Sequence, residues 1–214
     1  MIDLTKQYFL LLFDVKNSSG LKNEEFNKRM KLIRQKLDES NAVNSKQIVI
    51  PMSISYGDEI AGLYTSPENF FTIYSGIRKI FYPITAVRMV VVKGNIAVDS
   101  YDIRQIGGFV FKTANEAMNI LKQEKSFFAW QTGQPVFDKS LDSLCEISNA
   151  ILNDLSTYQR DIYELINEGF NQKQIAERLG KYSQSVWNAI KRGKINYILQ
   201  AQSSIIFMLK MTKW

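Results

Sequence analysis

Two carboxylates and one polar helix face are the parts of this chain whose residue types could do chemistry. Asp14 stands near the end of an apolar run, 7–15 (Q-Y-F-L-L-L-F-D-V), and Asp58 at the tip of a turn, Tyr56-Gly57-Asp58-Glu59. Two carboxylates brought side by side are hard oxygen donors that hold Mg²⁺, which then grips phosphates. A lone aspartate after glycine is equally a turn former. The second candidate lies at 184–194. With Val186 and Ile190 turned inward, a helix there leaves Gln184, Ser185, Trp187, Asn188, Lys191 and Arg192 facing out. Gln and Asn can pair with adenine edges and Arg with guanine, while Lys191 and Lys194 reach phosphates. The chemistry expected is therefore metal-held phosphate at one end and double-stranded DNA at the other.

Composition narrows the rest. The chain has no histidine, which excludes Ser-His-Asp and Cys-His nucleophiles and His-ligated zinc. Its one cysteine, Cys145, cannot form an intramolecular disulfide, as suits a reducing cytoplasm, and reads as a small buried hydrophobe. No apolar stretch reaches the ~18 residues of a membrane span, and 8–13 fits a buried strand better than a signal peptide. Charge is uneven. Residues 156–214 carry nine Lys and Arg against four Asp and Glu, and the remainder is nearly balanced at 18 against 17. Such a basic segment attracts phosphate backbones, or it is a solvated surface.

The elements that must position these groups follow from periodicity. The run 7–15 predicts a strand buried on both faces, and Phe26, Met30, Ile33 and Leu37 mark one face of a helix over 21–40. Residues 46–56 and 60–64 predict a hairpin, with Pro51 at an edge or bulge. Ser66-Pro67-Glu68 opens a helix that Pro83 ends. Strand 84–92, helix 110–123 and strand 126–130 complete an α+β domain over 1–138, with an antiparallel sheet and helices on one face. A connecting helix fills 139–155. An all-α domain follows at 156–214, with stops at Gly169 and Gly180, Asn171 and Gln174 as a reciprocal cap, and Ser183 as the cap of the third helix. A fourth helix over 195–209 serves a dimer or covers the core.

These residues carry resemblances. The run I-A-E-R-L-G-x-x-x-x-S-V-x-x-x-I, 175–190, resembles the helix-turn-helix of sigma-factor region 4 and response-regulator proteins, with Lys181 where an apolar residue is usual. Leu12-Phe13-Asp14-Val15 and Tyr56-Gly57-Asp58 resemble the metal-binding strand and hairpin of class III nucleotide cyclases. The whole chain is similar to the SatD family. The motifs are Asp14-Val15-Lys16-Asn17-Ser18, then Gly57-Asp58-Glu59-Ile60-Ala61-Gly62-Leu63, then the segment from Gly107 and Gly108 to Glu116-Ala117. The resemblance implies a ferredoxin-like, cyclase-like domain ahead of a helix-turn-helix. It implies Mg²⁺ on Asp14 and Asp58, and a nucleotide near Asn17, Ser18, Gly57 and Lys112. Three positions depart from the pattern: Phe13 replaces a glycine, Gly107 an aspartate, and Asn115 an arginine. Lys93, Arg104 and Lys112 are the cations near enough in sequence to serve instead.

The function expected on this basis is a cytoplasmic, DNA-binding transcriptional regulator of SatD type. Its degenerate cyclase-like domain senses a nucleotide or organises a homodimer. The alternatives are a Mg²⁺-dependent nucleotidyl cyclase or transferase using Asp14 and Asp58, and an interaction protein whose domains bind other proteins.

Overall fold

The computed structural model describes the chain except for residues 16–22, 44–45, 56, 58 and 82–85 and the side chains of 23 and 43. Strand β1 (Tyr8–Val15) is apolar without alternation because every one of its residues is buried. It is the central strand of five, in the order β2-β3-β1-β4-β5. Strands β2 (Ile48–Ile54), β3 (Ile60–Tyr64) and β4 (Val87–Gly94) are joined by antiparallel pairs β1·β3, β1·β4 and β2·β3. Strand β5 (Phe128–Gln131) runs parallel to β4, so the sheet is mixed rather than antiparallel. Pro51 falls in the edge strand β2, whose register slips between Ile48 and Ser53, where a missing N–H does least harm.

The expectation of helices on one face is also corrected. Side chains alternate across a strand, and the two sets on β1 meet different helices. Phe13 stacks on Tyr74 of α2 (Phe70–Phe81), which also meets Phe128 edge-on. Leu10 and Leu12 join Val90 and Val92 in a core with Val110, Ala114 and Met118 of α3 (Phe109–Glu124). Helix α1 (Asn23–Val43) lies beside α2, while α3, with Ile96, Ile103 and Ile106 of the loop before it, packs on the second face. A strand buried on both sides shows no period, which hides that division from the sequence. Both β3–α2–β4 and β4–α3–β5 step the same way across the sheet between parallel strands, with their helices on opposite faces, so one of them is left-handed. Such connections are right-handed in almost all proteins.

Helix α4 (Pro135–Asn153) leads into α5 (Thr157–Asn167), α6 (Gln172–Leu179), α7 (Ser183–Arg192) and α8 (Ile195–Met211). Contacts divide the chain into two units: Met1–Asp142 with Leu209–Trp214, and Ser143–Met208. The second has its own core, built from Ile162, Ile175, Ala176, Val186, Ala189, Ile195 and Ile198. Capping boxes at Ser156/Gln159 and Asn171/Gln174 start α5 and α6. Gly180, at φ 61°, ends α6. Ser183 does not cap α7. It is the first helical residue, and the cap position belongs to Tyr182, which makes no side-chain bond there. Cys145 is buried, as expected of a small hydrophobe. Among the described residues no helix is long and apolar enough to cross a membrane.

Candidate functional site

Asp14 is buried, and both of its carboxylate oxygens are engaged. Arg88 Nη1 on β4 lies 2.9 Å from Oδ2, and Lys122 Nζ near the end of α3 lies 2.7 Å from Oδ1. Arg88 is as buried as its partner, while Lys122 is half-exposed. The register makes the first contact inevitable, because Asp14 and Arg88 are directly opposed on β1 and β4. The carboxylate is thus held by two cations, and the three groups together are net positive. That donor set does not fit a divalent metal ion, which needs anionic oxygens turned toward it. Among the described residues no three His, Cys, Asp or Glu side chains come together. Asp58, the other expected ligand, lies outside the described residues.

The residues expected around a nucleotide do not converge. Asn17 and Ser18 lie outside the described residues. Gly57, at φ 53°, turns the β2–β3 hairpin with open space around it. Lys112 is exposed on the first turns of α3. It is ten residues before Lys122, about 15 Å along the helix, and so at the other end of the sheet from Asp14. Lys93 lies over the Phe9 ring at 5.3 Å, and Arg104 is turned onto Asp102. The sequence reading missed Arg88 and Lys122. Arg88 carried a signal: one charge inside the apolar run V-R-M-V-V-V demands a buried counter-charge.

The motif glycines have packing reasons. A Cβ on Gly62 would meet Met52 Cα at 2.9 Å and Tyr64 Cε2 at 3.0 Å, across the β2–β3 pair. Gly108, at φ 117°, caps α3, and a Cβ there would meet the Ala97 nitrogen at 2.8 Å. The conformations and close approaches of a hairpin and a helix start account for these glycines without a ligand.

In the helical unit the residues expected to face out do so, except Asn188. Gln184, Ser185, Trp187, Lys191, Arg192 and Lys194 are exposed and Asn188 is half-buried, while Val186 and Ala189 are buried beneath them. A three-residue turn, Gly180-Lys181-Tyr182, joins α6 to α7, and Gln172 Nε2 braces it by donating to the Ser183 carbonyl at 2.8 Å. Trp187 is 45% exposed and Tyr182 84%. The Lys191 ammonium sits 5.1 Å from the Trp187 ring centroid, a cation–π contact. The surface is aromatic and cationic together.

A model of the SatD family matches residues 8–207 of the chain. No curated protein matches it. The family description states no activity, so the expected role as a DNA-binding transcriptional regulator of that type has nothing behind it and is withdrawn. The exposed face of α7 establishes accessible side chains and no partner. The Mg²⁺-dependent cyclase or transferase is withdrawn with it, since Asp14 is already paired with Arg88 and Lys122.

Proposed function

The chain belongs to the SatD family, and from that premise we propose that it is a binding protein whose helical unit docks an acidic segment of a protein partner along α7. The observation that carries this reading is the half-exposed indole of Trp187 among polar and basic neighbours, with Tyr182 and Arg192 exposed on the same short helix and its turn. Trp, Tyr and Arg are the residue types that most often carry binding energy in protein interfaces. The positive balance of 156–214, nine against four, favours an acidic partner and speeds its encounter.

The rest of the chain is consistent with a scaffold for that surface. The order β4-β1-β3-β2 with α1 and α2 on one face supports reading the first unit as ferredoxin-like or cyclase-like. The short glycine turn between α6 and α7 supports a helix-turn-helix reading of the second. Neither fold dictates a partner.

The test titrates the full chain with a labelled peptide of alternating Glu and Leu, and in parallel with a Lys/Leu peptide and a duplex oligonucleotide. Only the acidic peptide is expected to bind, more weakly as salt rises, with Trp187→Ala costing about 2 kcal/mol. The reading is overturned if the acidic peptide fails to bind at low salt, or binds Trp187→Ala and Arg192→Ala as tightly as the parent. Preference for the duplex would also overturn it and identify the partner as nucleic acid.

A further inference from the structure

At the C-terminal end of α7 the surface folds into a cavity of about 420 Å³, bounded by Gln172 of α6, Trp187 and Lys191 of α7, and Lys194 and Tyr197 at the joint with α8. We propose that this cavity is a binding site for a small phosphate monoester carried on a planar ring, the chemistry of a nucleoside monophosphate. Its size falls in the range of small-ligand sites, roughly 300–1,000 Å³. Its wall is divided as such a ligand requires. Trp187, Ile190 and Tyr197 supply aromatic and apolar surface, and Lys191 and Lys194 supply two ammonium groups. Tyr197 is 66% exposed and Trp187 45%; Lys191 lies over one face of the indole, so a planar ring would stack on the Tyr197 ring or the opposite face of Trp187.

A second observation concerns the backbone. Lys194 has φ 53°, among the described residues one of two non-glycines in the left-handed region, the other being Lys125 at the end of α3. Glycine is the usual occupant of such a position, and here a glycine stands immediately before it. Gly193 is required where it is, because a Cβ there would meet Leu155 Cδ2 at 2.9 Å and the Ala189 carbonyl at 3.1 Å. Nothing of that kind requires lysine at 194. The Lys194 N–H donates to Lys191 O at 3.2 Å, and its own carbonyl accepts from Tyr197 N at 3.0 Å. Those bonds are backbone bonds that glycine or asparagine would make as well. An unfavourable conformation kept at a charged side chain in a cavity wall indicates a use for the charge. That use is a second cation near Lys191, suited to a dianion.

The ligand is placed by this chemistry and not by the acidic-segment reading, although Trp187 borders both surfaces. The measurement contains no peptide, so failure of peptide docking leaves it standing. The full chain is titrated with adenosine monophosphate, adenosine, phenyl phosphate and inorganic phosphate, followed by the Trp187 indole N–H signal in two-dimensional NMR. Adenosine monophosphate and phenyl phosphate are expected to shift that signal with saturation. Adenosine and inorganic phosphate, each lacking half of the ligand, are expected to bind at least tenfold more weakly. Lys194→Gly is expected to keep the melting temperature at or above that of the parent while weakening adenosine monophosphate at least tenfold, and Lys191→Ala to weaken it similarly. Saturation by phenyl phosphate without adenosine monophosphate would overturn the nucleoside class. No saturable shift with either compound at 5 mM on the millimolar scale of weak sites, or undiminished binding in Lys194→Gly, would overturn the site.

Discussion

Asp14 and Arg88 face each other across β1 and β4 with 2.9 Å between Oδ2 and Nη1, both almost wholly buried. Removing one member of such a pair strands the other charge. Asp14→Asn is expected to cost about 3 kcal/mol in urea denaturation, by the range measured for broken buried pairs. Replacing both, as Asp14→Leu with Arg88→Met, is expected to recover most of that loss, because an apolar pair of similar volume strands no buried charge and the half-exposed Lys122 left without its carboxylate can turn to solvent. Lys122→Met is expected to cost less than about 1 kcal/mol, since Lys122 is half-exposed and solvent screens its contribution. A loss for Asp14→Asn equal to that of Lys122→Met would show that burial of the Arg88 pair has no special weight.

Gly57 and Gly62 belong to one motif and serve different ends, and substitution separates them. Gly57→Ala meets no atom and pays only for a left-handed conformation, about 1 kcal/mol. Gly62→Ala places a methyl 2.9 Å from the Met52 Cα, which is backbone and yields little. It is expected to cost about 2–3 kcal/mol, the upper part of the overpacking range, and to broaden β2–β3 amide signals. Equal melting temperatures for the two variants would contradict the close approach of β2 to β3.

How much of this was legible in the sequence depends on what sets each feature. The order and type of elements were readable because local patterns decide them. Ile162 and Ile166, Ile175 and Leu179, and Val186 and Ile190 each stand four apart on one helix, Asn171 and Gln174 announce a cap, and Pro51 announces an edge. What faced what was not readable. The runs at 8–15 and 87–94 are apolar throughout, so nothing in them says that Leu10 meets α3 while Phe13 meets α2. The candidate site failed for the same reason. Asp14 was visible at a strand end, but Arg88 reaches it through strand register and Lys122 through the far end of α3, which are non-local facts. The left-handed turn at Lys194 was hidden by the adjacent glycine, where a reader would place it.

Tyr64 presents a buried hydroxyl with no hydrogen-bond partner among the described residues. Burial pushes the phenol well above its ordinary pKa, and the hydroxyl forfeits the water it would have met in the unfolded chain. Its ring packs edge-on against Phe70 at 5.0 Å, and phenylalanine would keep that contact. Tyr64→Phe is expected to raise stability by about 1 kcal/mol, read as a higher urea midpoint at unchanged slope. A fall of similar size would mean that the hydroxyl has a partner after all.

Asp102 is held well down, at a pKa of about 2, first by side-chain hydrogen bonds from Arg104 and then by the Arg104 backbone N–H. A carboxylate lowered on folding contributes stability that is fully present above its unfolded value near 4 and is lost as pH falls through about 2. The group is exposed, so the contribution is small. The direct check is an NMR titration of the Asp102 carboxyl carbon, with an expected midpoint of about 2. In Arg104→Gln the midpoint is expected to rise toward the ordinary carboxylate value. A midpoint indifferent to that substitution would remove Arg104 as the cause.

Gly193 and Lys194 make the joint between α7 and α8, and exchanging their demands should give opposite signs. Gly193→Ala drives a methyl toward Leu155 Cδ2 at 2.9 Å and Gln159 Cδ at 3.1 Å. The Leu155 and Gln159 side chains can yield somewhat, but the Ala189 carbonyl at 3.1 Å is helix backbone. The expected loss is about 2 kcal/mol, within the range for overpacking. Lys194→Gly removes a left-handed penalty of about 1–2 kcal/mol and gives back part of it as unfolded-chain entropy. The net is expected to be a gain of up to about 1 kcal/mol, seen as a higher melting temperature. Lys194→Ala retains the penalty and discards the ammonium, so it should melt with the parent and below Lys194→Gly. If alanine and glycine at 194 melt alike, the φ of 53° at this joint carries no strain, and the backbone argument for the lysine there is lost.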